Sequence, residues 1–286
     1  MTAKFRAAAP GAGAPTLDAF IAAGVRGRQP TQEDEQMTIA IITGASRGLG
    51  RNMALHLADQ GTDVILTYRR ERDAAAQVMA DIERKGRRAA ALPLDVADRT
   101  SFDGFAADVR ALLEERWQRR DFDYLVNNAG FGLYAPLAET TEEQFDELVK
   151  VHLAGPFFLT QKLLPLMADG GRVLNVSSGL TRFTVPGNGA YAAMKGGVEV
   201  LTRYLAKELG GRRITVNTLA PGAIETDFNG GRLRDDPALN RFVASNTALG
   251  RAGLPDDIGA AAAALLLGDG GWINGQRVEA SGGMFL

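Results

Sequence analysis

The sequence predicts an α/β protein built on a single doubly wound parallel sheet with helices on both faces, and three observations predict it. Short apolar runs alternate with helical patterns over about 240 residues, as repeated strand–helix–strand units require. A glycine cluster, Gly44, Gly48 and Gly50, stands between the first apolar run and the first helical pattern, where the backbone must turn tightly. The other notable signatures, at Asp95, residues 127–130, Ser178 and Pro221 with Gly222, each follow an expected strand. Residues in those positions share the carboxyl rim of a parallel sheet, where ligands bind.

Composition narrows the function classes. The 286 residues carry 32 basic and 34 acidic side chains, so there is no electrostatic case for nucleic acid or an anionic membrane. The absence of cysteine excludes disulfides and thiolate chemistry and is compatible with a cytoplasmic location. Two histidines, His56 and His152, are too few for a metal cluster, and no apolar run approaches the ~20 residues of a membrane helix. Residues 1–36, rich in Ala, Gly, Pro and charge, are expected to be a disordered extension, and residues 37–286 one catalytic domain.

The elements follow in order. Residues 38–42 form a short apolar run of the buried parallel-strand kind; TGASRGLG (43–50) and a helix ending near Gly61 come next. Residues 63–68 are a second strand, 71–85 a charged amphipathic helix, and a third strand ends at Leu94 and Asp95, with Asp98 placed as an N-cap. Residues 124–126 run into NNAG (127–130). Thr140 and Glu143 make a capping box for one long helix through His152 towards Met167. Strand 172–176 leads into Ser177 and Ser178, and the helix from Ala190 carries Met194, Val198, Leu201, Leu205 and Leu209 as one stripe. A sixth strand over 214–219 ends at Pro221 and Gly222. Residues 223–255 read as a polar, mobile lid, followed by a helix over 257–267 and a closing strand over 276–278. Trp117 and Trp272 read as structural residues.

The glycine loop sits where backbone N–H groups at a helix N-terminus can hold a pyrophosphate, although a tight turn that binds nothing has the same pattern. Its spacing is G-x-x-x-G-x-G. An acid at the end of the second strand would bind the ribose of NAD; this chain has Tyr68, Arg69 and Arg70 there, with Arg47 inside the loop. Guanidinium groups bind a 2′-phosphate that an acid would repel. The cofactor is therefore read as NADP(H), with Arg47 and Arg69 as the clamp.

Beyond the lid-side strands stands a second pattern. Ser178 lies thirteen positions before Tyr191, and Lys195 follows Tyr191 by four, one helical turn away on the same face. An ammonium roughly 4 Å from a phenol contributes on the order of 4 kcal/mol at an effective dielectric of 20, enough to draw a phenol pKa from about 10 towards neutrality. Such a tyrosine exchanges a proton with a substrate oxygen.

Taken together, TGASRGLG, Leu94-Asp95-Val96, NNAG, Ser178, Tyr191-x-x-x-Lys195, PGAIET (221–226) and the terminal ING…SGG resemble the short-chain dehydrogenase/reductase family, and within it the NADP-dependent 3-oxoacyl-carrier-protein reductase-like members. The resemblance covers residues 37–286 and implies a Rossmann fold. It implies that Gly44, Ser46, Arg47, Gly48, Leu49, Gly50 and Arg69 bind the phosphates of the cofactor, and that Asp95 and Val96 hold the adenine. Asn127, Asn128, Ala129 and Gly130 would line the cofactor between ribose and nicotinamide; Pro221, Gly222, Ile224 and Thr226 would contact the carboxamide end. Tyr191 would be the acid–base residue, Lys195 would lower its pKa and bind ribose, and Ser178 would hold the substrate oxygen. Ser177 is expected to point the other way.

The chain departs from the family at Val151-His152-Leu153, where relatives usually have Asn in the middle position. That residue's backbone carbonyl is its family role, which survives a side-chain change. Two other readings stay open: His152 joins the proton relay, its ordinary pKa being about 6.5, or it is simply packed. Ser281 stands where an Asp often precedes the paired glycines.

The resulting expectation is reversible reduction of a ketone to a secondary alcohol; the substrate is unknown, with a 3-oxoacyl thioester one candidate. The alternative is a catalytically silent NADP-binding sensor or scaffold. Phe131, Leu133, Tyr134, Leu180, Phe183 and Phe228 are the candidate apolar pocket. Small residues after Tyr191 (Ala192, Ala193, Gly196, Gly197) allow close helix packing, and the resemblance suggests a homo-oligomer, tetramer or dimer.

Overall fold

The computed structural model of the protein describes residues 37–286; the expectation for residues 1–36 lies outside them. Strand β1 (Ile39–Ile42) leads through the glycine loop into α1 (Gly48–Asp59), followed by β2 (Asp63–Tyr68), α2 (Arg72–Arg84), β3 (Ala89–Pro93), α3 (Phe102–Trp117) and β4 (Phe122–Asn127). Then come α4 (Glu142–Val149), α5 (Gly155–Leu163), β5 (Met167–Val176), α6 (Gly189–Glu208) and β6 (Thr215–Pro221). Short α7 (Arg232–Asp235), α8 (Pro237–Ser245), α9 (Pro255–Leu267) and β7 (Arg277–Ala280) complete the chain. All seven strands are parallel, in the order β3-β2-β1-β4-β5-β6-β7. The chain winds outward from β1 to β3 and then returns to β4 on the other side of β1, so the loops after β1 and β4 diverge and open a crevice between them.

Both faces of the sheet are buried, and the side-chain period of two divides the strands between them. Ile39 and Ile41 pack with Phe102, Leu113, Trp117 and Val173 on one face; Ala40 and Ile42 pack with Met53, Leu57, Leu174 and Ile258 on the other. That double burial is why β1 and β2 read as continuous apolar runs. Trp117 is structural as expected, its Nε1 donating to Asp63 Oδ2 at 2.7 Å. Trp272 is not: among the described residues its side chain is 99% exposed.

Four further expectations are corrected. The third strand stops at Pro93, before Leu94 and Asp95. The capping box is one residue later than expected, Thr141 with Gln144, because Thr140 instead donates its hydroxyl to the Pro136 carbonyl at 3.0 Å. The long helix is not continuous, since a π-turn at Lys150–Ala154 separates α4 from α5. Pro156 has no N–H, so the carbonyl four residues back, that of His152, cannot take an α-helical bond and the backbone widens there. Finally, residues 223–255 are ordered into α7 and α8, with a parallel bridge from Ile224 to Gly253. Asp236 caps α8 by accepting from Ala238 N and Leu239 N, with Pro237 at the first helical position, a start signal legible in the sequence.

Candidate active site

The glycine loop is shaped by conformation and by contact. Gly44 has φ +64, and a Cβ there would lie 2.9 Å from Ala129 Cα; only glycine lets the β1 and β4 loops approach so closely. A Cβ at Gly50 would meet Asn128 Nδ2 and the Gly44 carbonyl, both at 2.5 Å. The two loops are stitched by Thr43, whose Oγ1 accepts from Asn128 N (2.9 Å) and Ala129 N (3.0 Å), while Asn128 Nδ2 donates to the Thr43 and Gly44 carbonyls. Thr67 adds a third tie by accepting from Gly44 N at 3.1 Å. Thr43 and Thr67 were absent from the expected site; a threonine at a strand end beside a glycine is the only signal they carry.

Beyond the loop, α1 begins with Arg47 as N-cap and has neither a side-chain cap nor an acid in its first turn. Its N–H groups and dipole are thus unopposed where a phosphate would sit. Gly48 has φ +56, and no atom lies within 4 Å of where its Cβ would be, which leaves the backbone approachable. Ser46 and Leu49 are half-buried, and Arg47 is exposed. Arg69 Nη1 lies 3.9 Å from Asp95 Oδ2, both side chains about half exposed; so open a pair is weak and leaves the guanidinium available. Asp95 also accepts from Ala97 N at 3.0 Å, and Val96 is buried. These features fit the diphosphate and adenosine end of a dinucleotide. Asn127 departs from the expectation: it does not line the crevice with Asn128, Ala129 and Gly130, because as the last residue of β4 it is buried in the sheet interior, donating to Thr160 and Asn175.

Pro221 ends β6, and Gly222 N donates to the Ala280 carbonyl at 3.0 Å. A Cβ at Gly222 would collide with Ser281 Cα at 2.8 Å. Ile224 is fixed by its bridge to Gly253, and Thr226 is buried with its Oγ1 accepting from Phe228 N at 3.1 Å.

At the centre, β5 delivers Ser178 and α6 delivers Tyr191 and Lys195. Ser178 lies beside the Tyr191 phenol, and its Oγ accepts from Leu180 N at 3.2 Å. Ser177 is buried and turned away, donating to Glu199 at 2.7 Å. The Lys195 ammonium donates to the Val176 carbonyl at 2.8 Å and lies 5.6 Å from the centre of the Tyr191 ring. Burial lowers its pKa from 10.5 to about 8. The expected downward pull on the tyrosine is reversed here: burial raises the phenol pKa above 10, and the neighbouring Ser178 hydroxyl offsets only part of that. Desolvation of the phenolate outweighs an ammonium that is itself buried and engaged with a carbonyl.

His152 is packed against this pair. It is buried, its ring stands edge-on to Tyr191 at 5.2 Å, and a Cβ at Gly130 would meet its Cε1 at 2.6 Å. Nε2 lies 2.8 Å from the Phe131 carbonyl and 3.4 Å from Phe131 N; the shorter contact is to a group that can only accept, so Nε2 carries the proton and Nδ1 is bare. That Nδ1 is buried without a partner. Burial first, then the nearby Lys195 charge, lowers the histidine pKa from 6.5 to about 3. The imidazole is neutral at working pH.

The walls above Tyr191 come from Phe131, Leu133 and Leu180, which pack with Tyr191 and Met194, and from Phe228, 6.3 Å away ring to ring. Tyr134 is largely exposed and leans on Gly187. Phe183 leaves the expected pocket: it stacks on Phe285 at 5.0 Å, beneath the lid and the C-terminal residues. Among the described residues no group of three or more His, Asp or Glu could hold a metal ion, and no helix is long and apolar enough to cross a membrane.

Residues 44–285 match the family model described as Enoyl-(Acyl carrier protein) reductase. The tetrahydroxynaphthalene reductase PfmaG of Pestalotiopsis fici is 34% identical over 257 residues, covering 86% of this chain and 90% of its own. Among solved structures, the angucycline C-6 ketoreductase LanV with bound NADP superposes with a TM-score of 0.82 at 37% identity, covering 87% of this chain and 95% of the other. The promiscuous reductase LugOII, which catalyses keto-reduction at C1 during lugdunomycin biosynthesis, gives a TM-score of 0.82 at 36% identity, with 87% and 98% covered.

Proposed function

Because the chain belongs to the short-chain dehydrogenase/reductase family, we propose that it reduces a ketone to a secondary alcohol with NADPH, and that the ketone is carried on a flat aromatic ring system. The observation that carries the reaction class is the meeting of Ser178, Tyr191 and Lys195 beside an uncapped helix N-terminus and a glycine loop. When bound, NADPH would supply the hydride; Arg47, Arg69 and the first turn of α1 would hold its phosphates. Ser178 donates a hydrogen bond to the carbonyl oxygen and orients it. Tyr191, kept neutral by burial, passes its proton to that oxygen as the carbon is reduced, so that ketone, NADPH and one proton become alcohol and NADP+. The Lys195 cation stabilises the phenolate left behind.

The aromatic substrate class is supported by the rings of Phe131 and Phe228 near Tyr191 and by relatives whose names are those of a tetrahydroxynaphthalene reductase and an angucycline ketoreductase. Loss of NADPH absorbance with tetrahydroxynaphthalene, a 3-oxoacyl thioester and a simple aliphatic ketone tests it side by side. Fastest turnover with the aromatic compound is expected; preference for the thioester would reassign the substrate. NADPH binding without turnover of any ketone would instead favour the silent sensor. Tyr191→Phe is expected to abolish turnover while leaving NADPH affinity within about two-fold. Exposed apolar side chains on α4, α5 and α6, Phe145, Phe157, Val200 and Tyr204, support a homo-oligomer, checked by light scattering.

A further inference from the structure

Both hydroxyl side chains flanking Ser178, and the Ser178 carbonyl itself, are held by charged groups that the reaction above does not use. Glu199, one turn beyond Lys195 on α6, accepts on a single oxygen from Ser177 Oγ (2.7 Å), Thr181 Oγ1 (2.7 Å) and Arg277 Nε (2.8 Å). Arg277, the first residue of β7, spreads its guanidinium over four targets, one of them Thr181 Oγ1 at 3.2 Å from Nε. Nε reaches Glu199, Nη1 reaches Glu279 at 2.9 Å, and Nη2 reaches the Ser178 carbonyl at 3.3 Å. Glu279 also takes both Arg182 Nε (2.8 Å) and Nη2 (2.6 Å), and Arg182 donates in turn to the carbonyls of Met284 and Phe285. The Arg182 guanidinium holds the Glu279 pKa at about 2, so its charge persists at any working pH.

This chain is interior rather than superficial: the side chains of Glu199 and Glu279 are 13% and 16% exposed, and that of Arg277 23%. Ladder pairing of β5 with β6 ends at Val176, and only Ser177 N still reaches across to the Leu219 carbonyl. From Ser178 to Thr181 the backbone is a single 3-10 turn, so the ladder no longer sets where the serine hydroxyl points. Within the turn Leu180 N donates to Ser178 Oγ and Thr181 Oγ1 lies 2.9 Å from the Ser178 carbonyl, so the turn moves as a unit, and Glu199 and Arg277 hold that unit against α6 and β7.

We propose that Arg277, with Glu199, is a positioning residue that holds the Ser178 hydroxyl in register with Tyr191 and ties that register to the C-terminal residues beneath the lid. A lysine would keep the charge beside Glu199 but could not reach Glu279 and the Ser178 carbonyl at once, because only the guanidinium is a rigid fork.

The proposal rests on the ketone reduction argued above, and the wild-type rate separates the two: if the wild type reduces no ketone, the reaction fails before positioning is tested. With an active wild type, Arg277→Lys is expected to lower kcat about ten-fold while the Kd for NADPH stays within about two-fold. In a Ser178→Ala background the same change should cost less than about two-fold, because the route runs through that hydroxyl. Equal losses in both backgrounds, or an unchanged kcat in the first, would overturn the proposal. Should Arg277→Lys not fold, Glu199→Gln in the same two backgrounds gives the same reading.

Discussion

With its Nζ 2.8 Å from the Val176 carbonyl and its side chain sealed under Tyr191, Lys195 keeps an ammonium where burial pulls its pKa from 10.5 to about 8. Between those two values the unfolded chain holds a proton that the folded chain has released, so this group makes stability rise with pH across that window. Below pH 8 the full cost of burial is present, ~3 kcal/mol by that shift. Lys195→Met is therefore expected to raise Tm at pH 7, with the gain fading between pH 8 and 10.5, while turnover is lost. A Tm that falls at pH 7 would refute it. His152 runs in the same sense, in a lower pH window. Its pKa falls from 6.5 to about 3, so the unfolded state takes up a proton first, and stability is lost as pH drops from 6.5 towards 3. His152→Asn should flatten that acid limb in urea titrations and retain most activity. A loss of two or more orders of magnitude in kcat would mean that the imidazole itself serves the proton path, for which its unpartnered Nδ1 is the available acceptor.

At the scale of the element, the strand–turn–helix from β1 to α1 is the tightest construction in the site. Gly44 combines a left-handed φ with backbone contact to Ala129, so Gly44→Ala meets two penalties: roughly 1–2 kcal/mol for the conformation, and displacement of the β4 loop that Thr43 and Asn128 stitch to it. The expected result is a lower denaturation midpoint together with a loss of NADPH affinity of about ten-fold or more, read by fluorescence titration. Retention of wild-type affinity would show that the two loops need not touch. Glycine spacing made this turn legible in the sequence, since few other uses require three glycines between a strand and a helix. The π-turn at His152 was less legible: helical periodicity continues across it, and only Pro156 marks the break.

Across the described molecule, the lid and the C-terminal residues form one packed unit at the β7 edge of the sheet. Met284 is buried with Val243 and Ala252, Thr247 bridges to Met284, and Phe285 stacks on Phe183 and faces Phe242. Phe285 N donates to the Asn246 carbonyl at 2.8 Å, just beyond the end of α8. Since these contacts support the lid and not the glycine loop, Phe285→Ala should raise KM for the ketone about five-fold and leave NADPH affinity unchanged. An effect on NADPH alone would contradict that division of labour.

Sequence by itself determined the sheet, its parallel order of winding, the glycine loop and the spacing that unites Ser178, Tyr191 and Lys195. Each is local or periodic: short continuous apolar runs, a turn that only glycine can make, two side chains one helical turn apart. Tertiary structure alone decided the rest. The upward shift of Tyr191 depends on what covers the phenol; the place of Phe183 depends on the C-terminal residues returning beside it; the grip of Arg277 on Ser178 joins positions 99 residues apart. Burial and long-range contact are properties of the packed chain, and no stretch of sequence carries them on its own.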